Sequence, residues 1–277
     1  MTPLPGIHAG QPGIRLQSPG GDQATVLLDG AHVVSWIGRG AERLYLSPTT
    51  GYGGGVAIRG GVPIVFPQFN QRGPAAGLPK HGFARNRRWR VDRLQADAAT
   101  FALDDDEATR SVWPHRFRLE LAIDLTEGAL RMALTVTNAG SDPFEFTAAL
   151  HTYLAVADIR TTTIGGLAGA RLLDTVVGRE DVAGPSPLGF DAETDRIYWG
   201  AAAPLTMRSP AGTLGVSMAG FEDVVVWNPW SERAAALPDL PDGDWRRMLC
   251  IEAARIGRPV RLAPGAHWQG SQTLACR

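Results

Sequence analysis

Apolar and polar residues alternate along much of the chain. In the run RFRLELAIDL, Phe117, Leu119, Leu121, Ile123 and Leu125 fall on one side, and Arg118, Glu120 and Asp124 on the other. A period of two marks a strand with one buried face. Beyond Glu127 and Gly128 the run ALRMALTVTNAG alternates again, with Leu130, Met132, Leu134 and Val136 aligned. It closes at the turn-prone Asn138-Ala139-Gly140. The two runs predict an antiparallel hairpin.

FEFTAALHTYLAV continues the pattern, with Phe144, Phe146, Ala148 and Leu150 on one face. ATVLLDGAHVVSWI, DVVVWNPW, RRMLCIEAARI and SQTLAC add further strand-like runs. Helical spacing is scarce, and ERAAALPDL supports at most a turn or two of helix. The 33 glycines and 20 prolines are spread throughout rather than gathered in a linker, as expected for many short strands joined by turns. No internal repeat and no hydrophilic spacer is visible. The prediction is an all-β fold, one large antiparallel β-sandwich spanning residues 1–277 as a single domain with few short helices.

Composition narrows the function. A hydrophobic fraction of 44% with 20% charged residues is ordinary for a globular protein with a sizeable core. The formal charge is -1, which gives no reason to expect a nucleic-acid groove or an anionic membrane as partner. No apolar run approaches the roughly 20 residues needed to span a bilayer. MTPLPGIHAGQPGI lacks the basic and apolar regions of a secretory signal, so a cytoplasmic location is expected. Cys250 and Cys276 lack metal-type spacing and are expected as free thiols in a reducing compartment.

Several residues carry candidate chemistry. His151 shares a strand face with Glu145, Thr147, Ala149 and Tyr153, opposite the phenylalanines. It is either a solvated histidine on an open sheet or, given its small neighbours, a group beside space for a ligand. Glu252, flanked by Cys250, Ile251, Ala253 and Ala254, has the most apolar setting of any carboxylate. A buried carboxylate needs a partner or takes a raised pKa. Glu252 is thus either functional or paired with Arg247 or Arg255.

Arg59 precedes Gly60 and Gly61, which permit close backbone approach but do not form a phosphate loop of the Lys-Ser/Thr type. LPKHGFAR sets Lys80, His81 and Arg85 close together, and Arg87, Arg88 and Arg90 follow. Strand-like alternation would scatter those arginines, and a solvated basic loop is the simpler reading. The eight tryptophans belong mostly in the core, with VVWNPW the best place for one to stack on a sugar. GxSxG, GxGxxG, HExxH and CxxC are absent, which removes the simplest hydrolase, dinucleotide and zinc readings.

Taken in order, IRGGVPIVFPQF, LPKHGFARNRRW, ALHTYLAV, ETDRIYWG, VVWNPW and MLCIEAARI resemble the aldose 1-epimerase superfamily. More narrowly they are similar to its hexose-6-phosphate mutarotase (glucose-6-phosphate 1-epimerase) branch. The resemblance runs from about Ala57 to Arg277. It implies a galactose-mutarotase-like supersandwich with sugar bound on a concave sheet face. It also implies His151 as acid and Glu252 as base, on opposite sides of the acetal carbon, opening and closing the sugar ring. His81 is implied as a substrate-binding partner, Arg59 and Arg85 as phosphate-binding arginines, and Lys80 as a neighbouring binding residue. Asp195 is implied as the acid that holds sugar hydroxyls, with Asp174 as second choice. No metal and no cofactor is implied, the partner is a small hexose phosphate, and a monomer is expected.

The chain departs from its relatives at Gln68, Asn70 and Lys80, all expected to line or border the pocket, which leaves the choice of hexose open. A mutarotase for unphosphorylated aldoses gives Arg59 and Arg85 no anion. A non-catalytic sugar-binding protein has no use for an acid–base pair.

Overall fold

The alternating runs become strands at the predicted register. Phe117–Thr126 and Ala129–Asn138 pair as an antiparallel hairpin, with Leu125 opposite Leu130, Ile123 opposite Met132 and Leu121 opposite Leu134. All six side chains are buried, each contributing about 1.5–3 kcal/mol relative to exposure. The computed structural model describes residues 4–71, 77–185, 187–201 and 204–277, with nothing stated for the side chains of 4–6. The first three residues of the N-terminal segment read above lie outside the described residues.

Among the described residues, two eight-stranded antiparallel sheets and one five-stranded sheet make up the fold. The hairpin sits in the first large sheet, which also holds Gly212–Ala219 and His267–Cys276. The second large sheet carries the chemistry. At its centre Met248–Leu262 pairs with Asp223–Asn228 on one side, and with Phe144–Leu150 and Tyr153–Ala155 on the other. The small sheet contains Gln23–Leu27 and His32–Gly38. An all-β sandwich of antiparallel sheets is therefore the architecture. Among the described residues the α-helices are Glu107–Val112 and Trp230–Ala235, six residues each.

Alternation divides the second large sheet between two environments. Phe146, Ala148, Leu150, Val224, Val226, Ile251 and Ala253 enter the main core with Leu121, Leu134 and Leu274 of the first sheet and Val26, Val33 and Trp36 of the small one. Ala149, Val225 and Ala254 point the other way, joining Val65, Phe69 and Ile197 in a small second cluster. Glu252, opposite Val225 in the ladder, belongs to that outer face. The apolar patch raises one wall around the functional groups.

Asn228 ends its strand and starts the helix that follows. Its Nδ2 donates to the carbonyls of Trp245 and Met248, and its Oδ1 accepts from the Trp230 amide. Such local side-chain bonds compete with the ladder and turn the chain. Trp230 then packs on Trp245 at 4.4 Å between ring centroids, while Trp227 is half-buried against the edge of the main core.

Candidate active site

Arg59 is presented by a corner that only glycine can build. A Cβ on Gly60 would lie 2.5 Å from the Tyr45 carbonyl oxygen, and one on Gly61 2.2 Å from that of Val33. Buried His32 accompanies this approach, its Nε2 donating to the Gly60 carbonyl at 2.8 Å. The Arg59 guanidinium gives Nε and Nη2 to the two oxygens of Asp239, at 3.2 and 3.1 Å. Its Nη1 donates to the Tyr153 hydroxyl at 3.1 Å.

The HGFAR segment is held by the same kind of close approach. Gly82, at φ 69°, would put a Cβ 2.0 Å from the Phe66 carbonyl oxygen. His81 adopts φ 65° and exchanges two bonds with Asn70: its amide donates to the Asn70 carbonyl, and the Asn70 amide donates to His81 Nδ1. With Nδ1 accepting, the ring hydrogen of neutral His81 sits on Nε2. Gln68 is buried and clamps this loop, its Nε2 donating to the carbonyls of Leu78 and Pro79. Gln68 is therefore an internal brace and not a lining residue, unlike Asn70 and Lys80, which do face the cavity. Arg85 Nη2 donates to the Lys80 carbonyl at 2.9 Å.

His151 and Glu252 meet at the floor. Nε2 of His151 lies 3.3 Å from Oε1 of Glu252. They are 8% and 1% exposed, so the solvated reading of the histidine does not hold. The alternative partners for Glu252 are taken elsewhere: Arg255 pairs with Glu222, and Arg247 with Asp244. The His151 ring stacks on Tyr153 at 4.8 Å with 8° between planes, and meets His81 edge-on at 5.5 Å. Nδ1 of His151, Oε2 of Glu252 and Nε of Arg85 are buried without a hydrogen-bond partner. Each such atom costs about 1–3 kcal/mol, and three at one place mark a site that a polar ligand would complete.

These side chains surround one cavity of about 490 Å³, lined by Arg59, Lys80, His81, Arg85, Asp195, His151 and Glu252. Every site residue read from the sequence is thus brought to one place. Asp174 is not; it lies outside the cavity and accepts from Arg196 Nε at 2.8 Å. Of the basic run, Arg85 alone faces inward, while Arg88 pairs with Asp29 and Arg90 with Asp104. Trp227 lines the cavity, as the VVWNPW reading allowed, with the Arg59 guanidinium 5.9 Å from its ring centroid. Sequence reasoning missed Arg233, Glu193, Asp239 and Tyr153 as lining residues. Arg233, Glu193 and Asp239 are hidden by their distance in sequence, although the helical turn after NPW could have drawn attention to Arg233; Tyr153 was signalled by the strand face it shares with His151.

Electrostatics follow from burial. Burial, reinforced by the charge of Asp195, pushes the Glu252 carboxyl well above the usual range. Burial, then the charges of His81, Arg85 and Arg59, push His151 well below. His81 is lowered to about 3 by burial and by Arg85, Lys80 and Arg59. Both shifts favour the uncharged form of each group, a protonated carboxyl facing a neutral imidazole, and His81 beside them is neutral near pH 7. Cys250 also lies near the pair, with its Sγ, the Glu252 carboxylate and the His151 ring nitrogen within 4.8 Å of one another, and burial raises its thiol well above the usual value. Among the described residues no helix is long and apolar enough to cross a membrane.

Residues 12–275 match the family model described as Aldose 1-epimerase. A protein of Cenchrus ciliaris provisionally named glucose-6-phosphate 1-epimerase is 35% identical over 268 residues, covering 91% of this chain and 80% of its own. One of Escherichia coli (strain K12), under the same provisional name, is 36% identical over 242 residues, covering 84% and 79%. A crystal structure from Salmonella typhimurium, provisionally described as a mutarotase, superposes with a TM-score of 0.87 at 32% identity, covering 96% of this chain and 91% of that one.

Proposed function

Because the chain belongs to the aldose 1-epimerase family and is an isomerase of sugar anomers, we propose that its substrate is a hexose 6-phosphate such as glucose 6-phosphate. The observation that carries this reading is the His151–Glu252 contact at the floor of a cavity that also presents Arg59, Lys80 and Arg85. The names of the relatives point the same way.

Anomer exchange takes a proton from the C1 hydroxyl and gives one to the ring oxygen, which breaks the C1–O5 bond and leaves the open aldehyde. Rotation about C1–C2 and the reverse transfers close the ring in the other configuration. Glu252 is the base and His151 the acid in the forward sense. The two groups touch at 3.3 Å, so they do not stand on opposite sides of a carbon atom. The hydroxyl and the ring oxygen are bonded to the same carbon, and a contacting acid and base reach both from one side. Proton transfer from Glu252 to His151 across this contact supplies the ionised pair, and acid–base assistance of this kind is worth about 10²–10⁴ in rate.

His81 donates to a sugar hydroxyl through Nε2–H, Asp195 accepts from others, and Trp227 offers an apolar face. Arg85, with its unpartnered Nε, and Lys80 meet the phosphate. Arg59 binds with its charge already countered by Asp239. That pairing is the one observation that favours a neutral aldose instead. We take the chain as one domain acting as a monomer, and its free, buried cysteines suit a reducing cytoplasm.

Exchange NMR or coupled oxidation on glucose 6-phosphate and on glucose tests the substrate. Faster relaxation of the phosphate ester is expected; faster relaxation of glucose would sink the phosphosugar reading.

A further inference from the structure

Among the described residues, Arg59, Lys80, Arg85 and Arg233 are the cations that face the cavity, and they are not equivalent. Arg59 is committed to the two oxygens of Asp239 and to the Tyr153 hydroxyl. Its charge is compensated, and most of its donors are in use. Arg85 and Arg233 have no such bidentate carboxylate among the described residues. Arg85 reaches the Lys80 backbone from a half-buried position.

Arg233 projects from the Trp230–Ala235 helix, whose start is fixed by Asn228, and its side chain is exposed at the rim. Lys80, from the opposite loop, is exposed there too and lies close enough to feel the charge of Arg233. With the anomeric carbon at His151 and Glu252, the 6-phosphate of a bound hexose projects away from C1, toward the open end of the cavity. There two exposed cations and the inner guanidinium of Arg85, none of them held in a bidentate carboxylate pair like that of Arg59, face the opening. A guanidinium fork matches the oxygens of a phosphate dianion.

We propose that Arg233 is the outer arm of the phosphate site and that, with Lys80 and Arg85, it sets the preference for a phosphorylated over a neutral sugar. The proposal rests on the hexose phosphate reading above. Arg59 then serves mainly to orient Tyr153, against which His151 stacks, and to close the inner wall. Glu193 also lines the cavity and feels the Arg233 charge.

The test compares wild type, Arg233→Ala and Arg233→Lys on glucose 6-phosphate and on glucose. Arg233 is exposed and alanine favours helix, so the fold is expected to survive. In Arg233→Ala, KM for glucose 6-phosphate should rise about tenfold or more while kcat stays within about twofold, and the glucose parameters should not move. Arg233→Lys should recover part of the loss, and inorganic phosphate should inhibit wild type more strongly than Arg233→Ala. An unchanged KM for the phosphate ester, or an equal loss on both sugars, overturns the assignment while leaving the hexose phosphate reading intact. A wild-type preference for glucose overturns both, and appears before any variant is made.

Discussion

Nε2 of His151 stands 3.3 Å from Oε1 of Glu252 on the outer face of the second large sheet, although the two residues lie a hundred positions apart in the chain. Phe144–Leu150 delivers the histidine just past its end and Met248–Leu262 delivers the acid from its middle; the ladder between these strands brings them together.

His151→Asn and Glu252→Gln should each lower kcat by about 10²–10⁴. Both keep the side-chain shape, so circular dichroism and thermal unfolding should match wild type. Wild-type turnover in either folded variant would remove these residues from the proton path.

The pH dependence of kcat, which reports the bound complex, should be a broad plateau. The working form of the pair carries one proton. A second proton binds only well below 6.5, because His151 is lowered, and the single proton is lost only well above 4.5, because Glu252 is raised. Activity should therefore persist through pH 6.5 on acidification. A descending limb of kcat centred near 6.5 would show an ordinary histidine and contradict the lowering of His151; a limb at about 6 in kcat/KM alone would belong to the phosphate ester itself.

Stability should fall on the acid side. His32 is lowered to about 4 and His81 to about 3, both chiefly by burial. Each ring takes up a proton near 6.5 when unfolded but not when folded. The stability is whole above about 6.5 and is lost as pH falls from there toward the folded values. For His32 alone the lowering is worth roughly 3 kcal/mol when complete. Urea unfolding at about pH 7.5 and about pH 5 should show the decline, and His32→Gln should lessen it. A flat response between those values would refute buried, neutral imidazoles.

Gly82→Ala should unfold the site locally or the protein globally. The new Cβ would lie 2.0 Å from the Phe66 carbonyl in a backbone at φ 69°, a clash no rotamer relieves. A loss of about 2 kcal/mol or more is expected in denaturant titration. If the variant keeps wild-type stability and binding, the close approach does not constrain this corner.

The sequence by itself determined the all-β architecture, because burial on one face of a strand writes a period of two that needs no partner to be read. Phe117 to Leu125 and Leu130 to Val136 show this directly. It also marked His151, Glu252, Arg59, Lys80, His81, Arg85 and Asp195, through motifs whose order resembles a known family. Tertiary structure decided what those residues touch. Only pairing across strands puts Glu252 against His151 rather than Arg255, sends Asp195 into the cavity and Asp174 to Arg196, and neutralises Arg59 with Asp239. These outcomes depend on contacts between residues far apart in the chain, and local pattern cannot specify which of several possible partners the folded sheet brings within reach.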